Sequence, residues 1–186
     1  MARGRKSEKI KRVTKSDGET MKSIAHTGVI TRANAKEYFN LNDKRIELLK
    51  KNSYLIEHTN NTKKGLQTYY TLGKAGVDFI KRQTDIDYLY RGNKNQLDHD
   101  IKLSQAYCQI THEQRQGWIN ENQIIHKWDK LAPNTNHVTG VDAIVVTNDG
   151  IVAIEVITRN YGEVEIQEKH NAASALGCNR MVMINA

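Results

Sequence analysis

The stretch from Val138 to Thr158, VTGVDAIVVTNDGIVAIEVIT, decides how the chain is read. Two β-branched runs flank Asp149-Gly150, a dipeptide that favours tight type I′ turns, so the pattern predicts a β-hairpin. A two-residue loop at Asp149-Gly150 pairs Asn148 with Ile151, Ile144 with Glu155 and Asp142 with Ile157. Side chains alternate along a strand, so Asp142, Ile144, Glu155 and Ile157 share one face. Asp142 and Glu155 become diagonal neighbours roughly 7–8 Å apart. Two carboxylates at that separation suit one divalent cation, and oxygen donors favour Mg²⁺ or Mn²⁺ over zinc. The alternative places both on a solvent-facing side above a core of Ala143, Val145, Ile154 and Val156. Ile144, Val146, Ile151 and Ile157 make the carboxylate face apolar as well, and an acidic pair in a sheet buried on both faces is site-like.

Outward from the hairpin, residues 94–115 read as a helix with His99, Leu103, Ala106 and Ile110 on one stripe, ended near Gly117. A strand is expected at Gln123–Trp128, then a polar loop over 129–137 containing Pro133. After the hairpin, a helix over 162–176 carries Ile166, Lys169, Ala173 and Leu176 at helical spacing, which turns Lys169 inward. Its alternative is a lysine whose stem packs while its head reaches water. Arg180–Ile184 supplies a last strand.

The front half reads differently. Residues 20–26 form a short helix ended by Gly28, Thr31 caps a second helix through Phe39, and Asn42 caps a third from Asp43 to Lys51. A strand Tyr54–His58, a polar basic linker Thr59–Gly65 and a strand Gln67–Leu72 make a hairpin, and a closing helix starts at Gly73. Three helices, a ribbon and a further helix are the winged form of the helix-turn-helix. In that arrangement the third helix enters the major groove with Asn42, Lys44 and Arg45 leading, and Lys50 and Lys51 lie on its outer side. Lys63 and Lys64 at the hairpin tip reach phosphates or the minor groove.

Charge supports this division. The chain has 186 residues and a formal net charge of +7, yet residues 1–82 hold 19 Lys/Arg against 8 Asp/Glu. Residues 83–186 hold 9 against 13. The front has the field of a polyanion binder and the back does not. Seven of the basic side chains, Arg3, Arg5 and Lys6 among them, fall within residues 1–16, which read as a disordered arm. No apolar run is long enough for a membrane span, and no secretory leader is seen. Cys108 and Cys178 have no metal spacing, so a reducing, cytoplasmic setting is expected. The organisation expected is an arm over 1–18, a winged helix over 19–84 and a small α/β domain over 85–186, an α+β protein overall.

Several stretches carry family likenesses. Tyr70-Thr71-Leu72-Gly73-Lys74-Ala75-Gly76, with Ile80 beyond, resembles the "Y-x-L-T-x-x-G-x-x-x-L" ending of many winged-helix DNA-binding proteins, with Gly73 in place of Thr. The order helix–strand–hairpin–helix–strand, with Asp142 before the turn and Glu155 after it, resembles the PD-(D/E)xK nuclease fold. That resemblance implies that Asp142 and Glu155 ligate Mg²⁺ or Mn²⁺. Ile157 stands where the family has Lys, and Lys169 on the next helix is the candidate to replace it as the catalytic cation. The whole layout is similar to the replication-relaxation proteins of Gram-positive mobile elements: Leu97-Asp98-His99-Asp100 resembles their "H-D" segment and Trp118-Ile119-Asn120-Glu121 their "W-x-x-E". This implies a role in plasmid replication, DNA relaxation or transfer, with double-stranded DNA and other replication or transfer proteins as partners.

The remaining ionisable residues point less sharply. His99 reads as a satisfied core histidine rather than a ligand, and Glu121 as a surface carboxylate with a third metal ligand as the alternative. His112, His126 and His137 lack metal spacing. There is no phosphate-binding glycine loop and no serine nucleophile elbow. Two functions follow: a non-catalytic duplex-DNA-binding factor or regulator, or a Mg²⁺-dependent endonuclease working through Asp142, Glu155 and Lys169. Ile157 in the lysine position ranks binding first.

Overall fold

A computed structural model describes residues 9–62, 65–133 and 140–186 as a mixed α+β structure with two sheets. The front begins with helix α1 (Lys15–Thr27), strand β1 (Ile30–Thr31), α2 (Arg32–Phe39) and α3 (Asp43–Lys51). Strands β2 (Leu55–Thr62) and β3 (Gly65–Leu72) and helix α4 (Lys74–Gln83) complete it. The first sheet runs β1-β3-β2, antiparallel throughout. Only Ile30 and Thr31 pair with β3, at Tyr70 and Tyr69. The β2–β3 ribbon therefore continues beyond β1 as two strands alone, out to Thr62 opposite Gly65.

Local chemistry sets these bounds. Thr31 Oγ1 accepts the Asn34 N–H at 3.1 Å and Asn42 Oδ1 accepts the Arg45 N–H at 2.9 Å, which fixes the starts of α2 and α3 where caps were expected. Helix α1 is longer than the seven residues read from the sequence. Thr14 and Asp17 form a reciprocal capping box, and the helix takes in Lys15–Gly18, the end of the supposed arm. Its length was hidden because both of its sides are buried and carry polar residues, among them Asp17, Thr20, Ser23, His26 and Thr27. Gly28 closes it at φ +82°, and a Cβ there would meet Gly92 N at 2.8 Å.

The described part of the arm is not loose. Ile10 and Val13 pack against the core, and the Ile10 N–H donates to Asn52 Oδ1 at 3.2 Å. The ribbon is also longer than expected, since strand pairing takes up most of the supposed linker Thr59–Gly65.

The back half comprises α5 (Leu97–Gln109), α6 (His112–Gln116), β4 (Trp118–Asn120), α7 (Glu121–His126) and α8 (Trp128–Leu131). Then follow β5 (Ala143–Thr147), β6 (Gly150–Ile157), α9 (Glu163–Ala175) and β7 (Arg180–Asn185). The second sheet is ordered β4-β5-β6-β7, with β7 parallel to β6 and the other pairs antiparallel. The single helix expected over 94–115 is broken at Ile110, whose extended backbone ends α5, and Thr111 caps α6. The strand expected at Gln123–Trp128 is helical. Asn120 and Gln123 form a capping box, and Ile124 and Trp128, four residues apart, bury one face. The strand lies instead at Trp118–Asn120, paired with Ala143–Val145. Of the expected polar loop, the first residues belong to α8.

The hairpin is present with a different turn. Thr147 pairs with Gly150, so Asn148-Asp149 is the loop, and neither has the positive φ a type I′ turn needs. Gly150 alone carries it, at +131°. The register moves by two residues, which leaves every side chain on its expected face: Ile144 lies opposite Ala153 rather than Glu155. One face, with Ala143, Val145, Ile154 and Val156, joins a core that also holds Met21, Ile24, Leu103, Tyr107 and Trp118. The other, with Ile144 and Ala153, packs with Ala172, Ala173 and Leu176 of α9 and with Ile124 and Trp128. The sheet is thus covered on both faces. The front and back halves share the first of these cores, with α1 against α5, the His26 and Tyr107 rings stacked 5.4 Å apart and Arg115 over Phe39.

Candidate functional site

Asp142 stands at the entrance to β5, and the register of the hairpin carries it directly opposite Glu155 of β6. Glu155 is fully buried and Asp142 is 5 % exposed. The pair is held through the backbone: Glu155 Oε2 accepts the Asp142 N–H at 3.0 Å, and Asp142 Oδ2 accepts the Val156 N–H at 2.7 Å.

Two protein cations neutralise it. Lys169 of α9 places Nζ 2.9 Å from Glu155 Oε1 and donates to Gly140 O at 2.7 Å. His99 of α5 places Nε2 3.0 Å from Asp142 Oδ2 and Nδ1 3.2 Å from Asp100 Oδ1. A carboxylate is acceptor-only, so an imidazole with one at each nitrogen donates from both and is an imidazolium. Burial works against that charge, but the bonds to Asp100 and Asp142 outweigh it and push the His99 pKa up to about 10.

Two tyrosines complete the cluster. Tyr161 donates to Glu155 Oε1 at 2.7 Å, and Tyr90 donates to Asp100 Oδ1 at 3.1 Å. The Asn93 N–H serves Asp100 Oδ2 at 2.9 Å. Burial and the Asp142 charge raise the Glu155 carboxyl, with Lys169 and Tyr161 acting against the rise. The same two causes raise the carboxyl of half-buried Glu121.

The structure therefore brings Asp142, Glu155 and Lys169 into one network, together with His99. Asp100, Tyr90 and Tyr161 had no signal of their own beyond the His99-Asp100 dipeptide, because chain reversals in loops deliver the tyrosines. A divalent ion does not fit this donor set as it stands. Both Glu155 oxygens and Asp142 Oδ2 are engaged by protein donors, and two cations already face the pair. Among the described residues, no group of three or more His, Cys, Asp or Glu is arranged to hold a metal.

The side chains proposed to meet DNA divide into three groups. Asn42, Lys44 and Lys51 are exposed on α3. Arg45 is turned inward: Nε donates to Asp17 Oδ1 at 2.9 Å, a second guanidinium nitrogen reaches Asp17 Oδ2, and the same nitrogen donates to Arg12 O at 3.0 Å. Lys50 is shared between Glu47 at 2.8 Å and Glu57 at 2.9 Å. Arg3, Arg5, Lys6, Lys63 and Lys64 lie outside the described residues. Arg45 thus ties the arm to α1 and α3, and it keeps exposed Lys11 and Arg12 beside the third helix.

A polar cleft of about 530 Å³ joins the ribbon to the buried cluster. Asn60, Asn61, Asn95, Gln96, His99 and Arg159 are among the residues that line it. The chain matches no protein-family model, no curated protein and no solved structure.

Proposed function

We propose that the chain is a duplex-DNA-binding protein whose front half is a winged helix, with α3 as the groove-entering helix and the β2–β3 ribbon as the wing. The observation that carries this is the exposed side of α3, with Lys44, Lys51 and the capping Asn42, next to an arm whose Arg12 carbonyl is bound by Arg45 of the same helix. Arg45 holds the arm at Arg12, next to exposed Lys11, and the β2–β3 ribbon projects past β1. Support also comes from the sheet order β1-β3-β2 and from the excess of positive charge in residues 1–82.

Affinity in this reading comes from phosphate neutralisation and is salt-dependent. Lys44 and Lys51 meet phosphates, and base reading falls to the amide nitrogen of Asn42, whose Oδ1 caps α3, rather than to Arg45, whose guanidinium is spent on Asp17 and Arg12. Leu66, 76 % exposed near the ribbon tip, sits where a wing meets the minor groove. The likeness to replication-relaxation proteins makes an accessory role in replication, relaxation or transfer of a mobile element, beside other proteins of that process, the natural setting. Fluorescence anisotropy with a duplex at rising salt tests the binding. Affinity is expected to fall steeply with salt and to weaken in Lys44→Ala and Lys51→Ala, and a salt-independent signal overturns it.

A second reading is favoured by one observation, the convergence of Asp142, Glu155 and Lys169. It is phosphodiester cleavage of the PD-(D/E)xK type by the back half. The order α5, an antiparallel β4–β5–β6 meander, α9 and parallel β7 supports that architecture. It requires Lys169 and His99 to release the carboxylates first. Nicking of supercoiled plasmid that disappears in Asp142→Ala would establish it over binding alone.

A further inference from the structure

We infer that the Lys169 ammonium is the resident cation of the Asp142–Glu155 pair, so that the folded wild-type protein takes no divalent metal at this place. The inference goes beyond DNA binding and does not depend on it.

Lys169 is 8 % exposed, and its Nζ is bound by a backbone carbonyl oxygen, Gly140 O at 2.7 Å, and a carboxylate oxygen, Glu155 Oε1 at 2.9 Å. A carbonyl and a carboxylate converging on one point are the hard oxygen donors that Mg²⁺ and Mn²⁺ select. Here that point is filled by an ammonium. Its position is set by packing, since Ala172 and Ala173 of α9 are buried with Ile144 and Ala153 and fix the depth of the helix on the sheet. On the other side of the pair, His99 is held as an imidazolium between Asp100 and Asp142.

Charge accounting points the same way. Lys169 faces Glu155 and His99 is shared between Asp142 and Asp100, while Tyr161, Asp142 N and Val156 N donate to both Glu155 oxygens and to Asp142 Oδ2. A divalent ion would meet carboxylate oxygens already taken by protein donors and would face an ammonium at close range, a repulsion that low dielectric strengthens. Remove the ammonium and this reverses. Glu155 then has an oxygen without its cation, Gly140 O has no partner from α9, and the space of the lysine head opens between them. Lys169→Ala should therefore create a site for a hard divalent cation that the wild type lacks.

The test is a Mn²⁺ titration of the full chain followed by electron paramagnetic resonance, in which bound Mn²⁺ leaves the free-ion signal. Wild type is expected to leave the signal unchanged, and its melting temperature is expected not to respond to Mn²⁺ or to EDTA. Lys169→Ala is expected to bind one Mn²⁺ per chain with a rise in melting temperature, and Glu155→Gln in that background to lose both effects. If Lys169→Ala does not fold, Lys169→Ser takes its place, since a short neutral side chain also leaves the space of the lysine head open. One Mn²⁺ bound by wild type and lost in Glu155→Gln overturns the inference. A folded Lys169 variant that gains no Mn²⁺ binding also overturns it.

Discussion

Glu155 Oε2 accepts the backbone N–H of Asp142 at 3.0 Å, so a fully buried carboxylate on β6 fixes the entry of the chain into β5. Asp142 reciprocates by accepting the Val156 N–H at 2.7 Å. Each acid thus stands in for a ladder bond at the open end of the hairpin, and a protein cation answers each charge. Removing one partner of such a pair leaves the other buried and uncompensated. Glu155→Ala, which strands Lys169, is expected to cost about 3–5 kcal/mol of stability. Urea unfolding monitored by circular dichroism measures it, and a loss within experimental error would show that the cluster does not hold the sheet.

His99 gives the protein a pH signature. Its pKa is pushed up to about 10, well above the ordinary histidine value, by Asp100 and Asp142 acting against burial. The stabilisation is complete below the ordinary histidine pKa near 6.5 and is lost as pH rises through about 10. Wild type is expected to become easier to unfold between those limits, and His99→Gln to be weaker at neutral pH with a flatter profile across that window. Urea midpoints measured from pH 6 to pH 10 decide this.

Arg45 and Asp17 make the third expectation. Asp17 is buried, and Arg45 with the Thr14 donors outweighs burial to hold its carboxyl below the ordinary range. Arg45→Ala leaves that carboxylate without its cation and releases the arm at Arg12. The expected loss is about 2–3 kcal/mol, toward the lower side for a buried pair because the guanidinium keeps contact with water. Lys44→Ala, on the exposed side of α3, is expected to weaken DNA binding with stability unchanged. Paired melting and anisotropy measurements on the two variants separate a structural role of Arg45 from the proposed binding role of Lys44, and equal losses of stability would contradict the assignment.

Much of this was legible in the sequence, for identifiable reasons. The caps Thr31 and Asn42 are short-range chemistry, and they fixed α2 and α3 to the residue. The alternation through Val141–Ile157 put Asp142 and Glu155 on one face, and a register error of two residues could not move them off it. The inward stripe of α9 delivered Lys169. What was not legible depends on partners distant in the chain. Helix α1 carries polar residues on buried positions because α5 and α4 cover it, so its periodicity is blurred. Glu121–His126 has the β-branched pair Ile124-Ile125, yet the Asn120–Gln123 capping box turns it into a helix. Arg45 reads as a groove residue from its place on α3, but Asp17, 28 positions earlier, lies beneath it and takes its guanidinium.

The central claim is that α3, the tethered arm and the ribbon form one surface for duplex DNA. The most direct measurement is the salt dependence of binding of the full chain to a duplex oligonucleotide, compared with Lys44→Ala and Lys51→Ala. The account predicts a linear fall of log affinity with log salt concentration, with a slope shallower by about 0.9 for each phosphate contact a substitution removes. Affinity that ignores salt, or a slope unchanged in both variants, contradicts it.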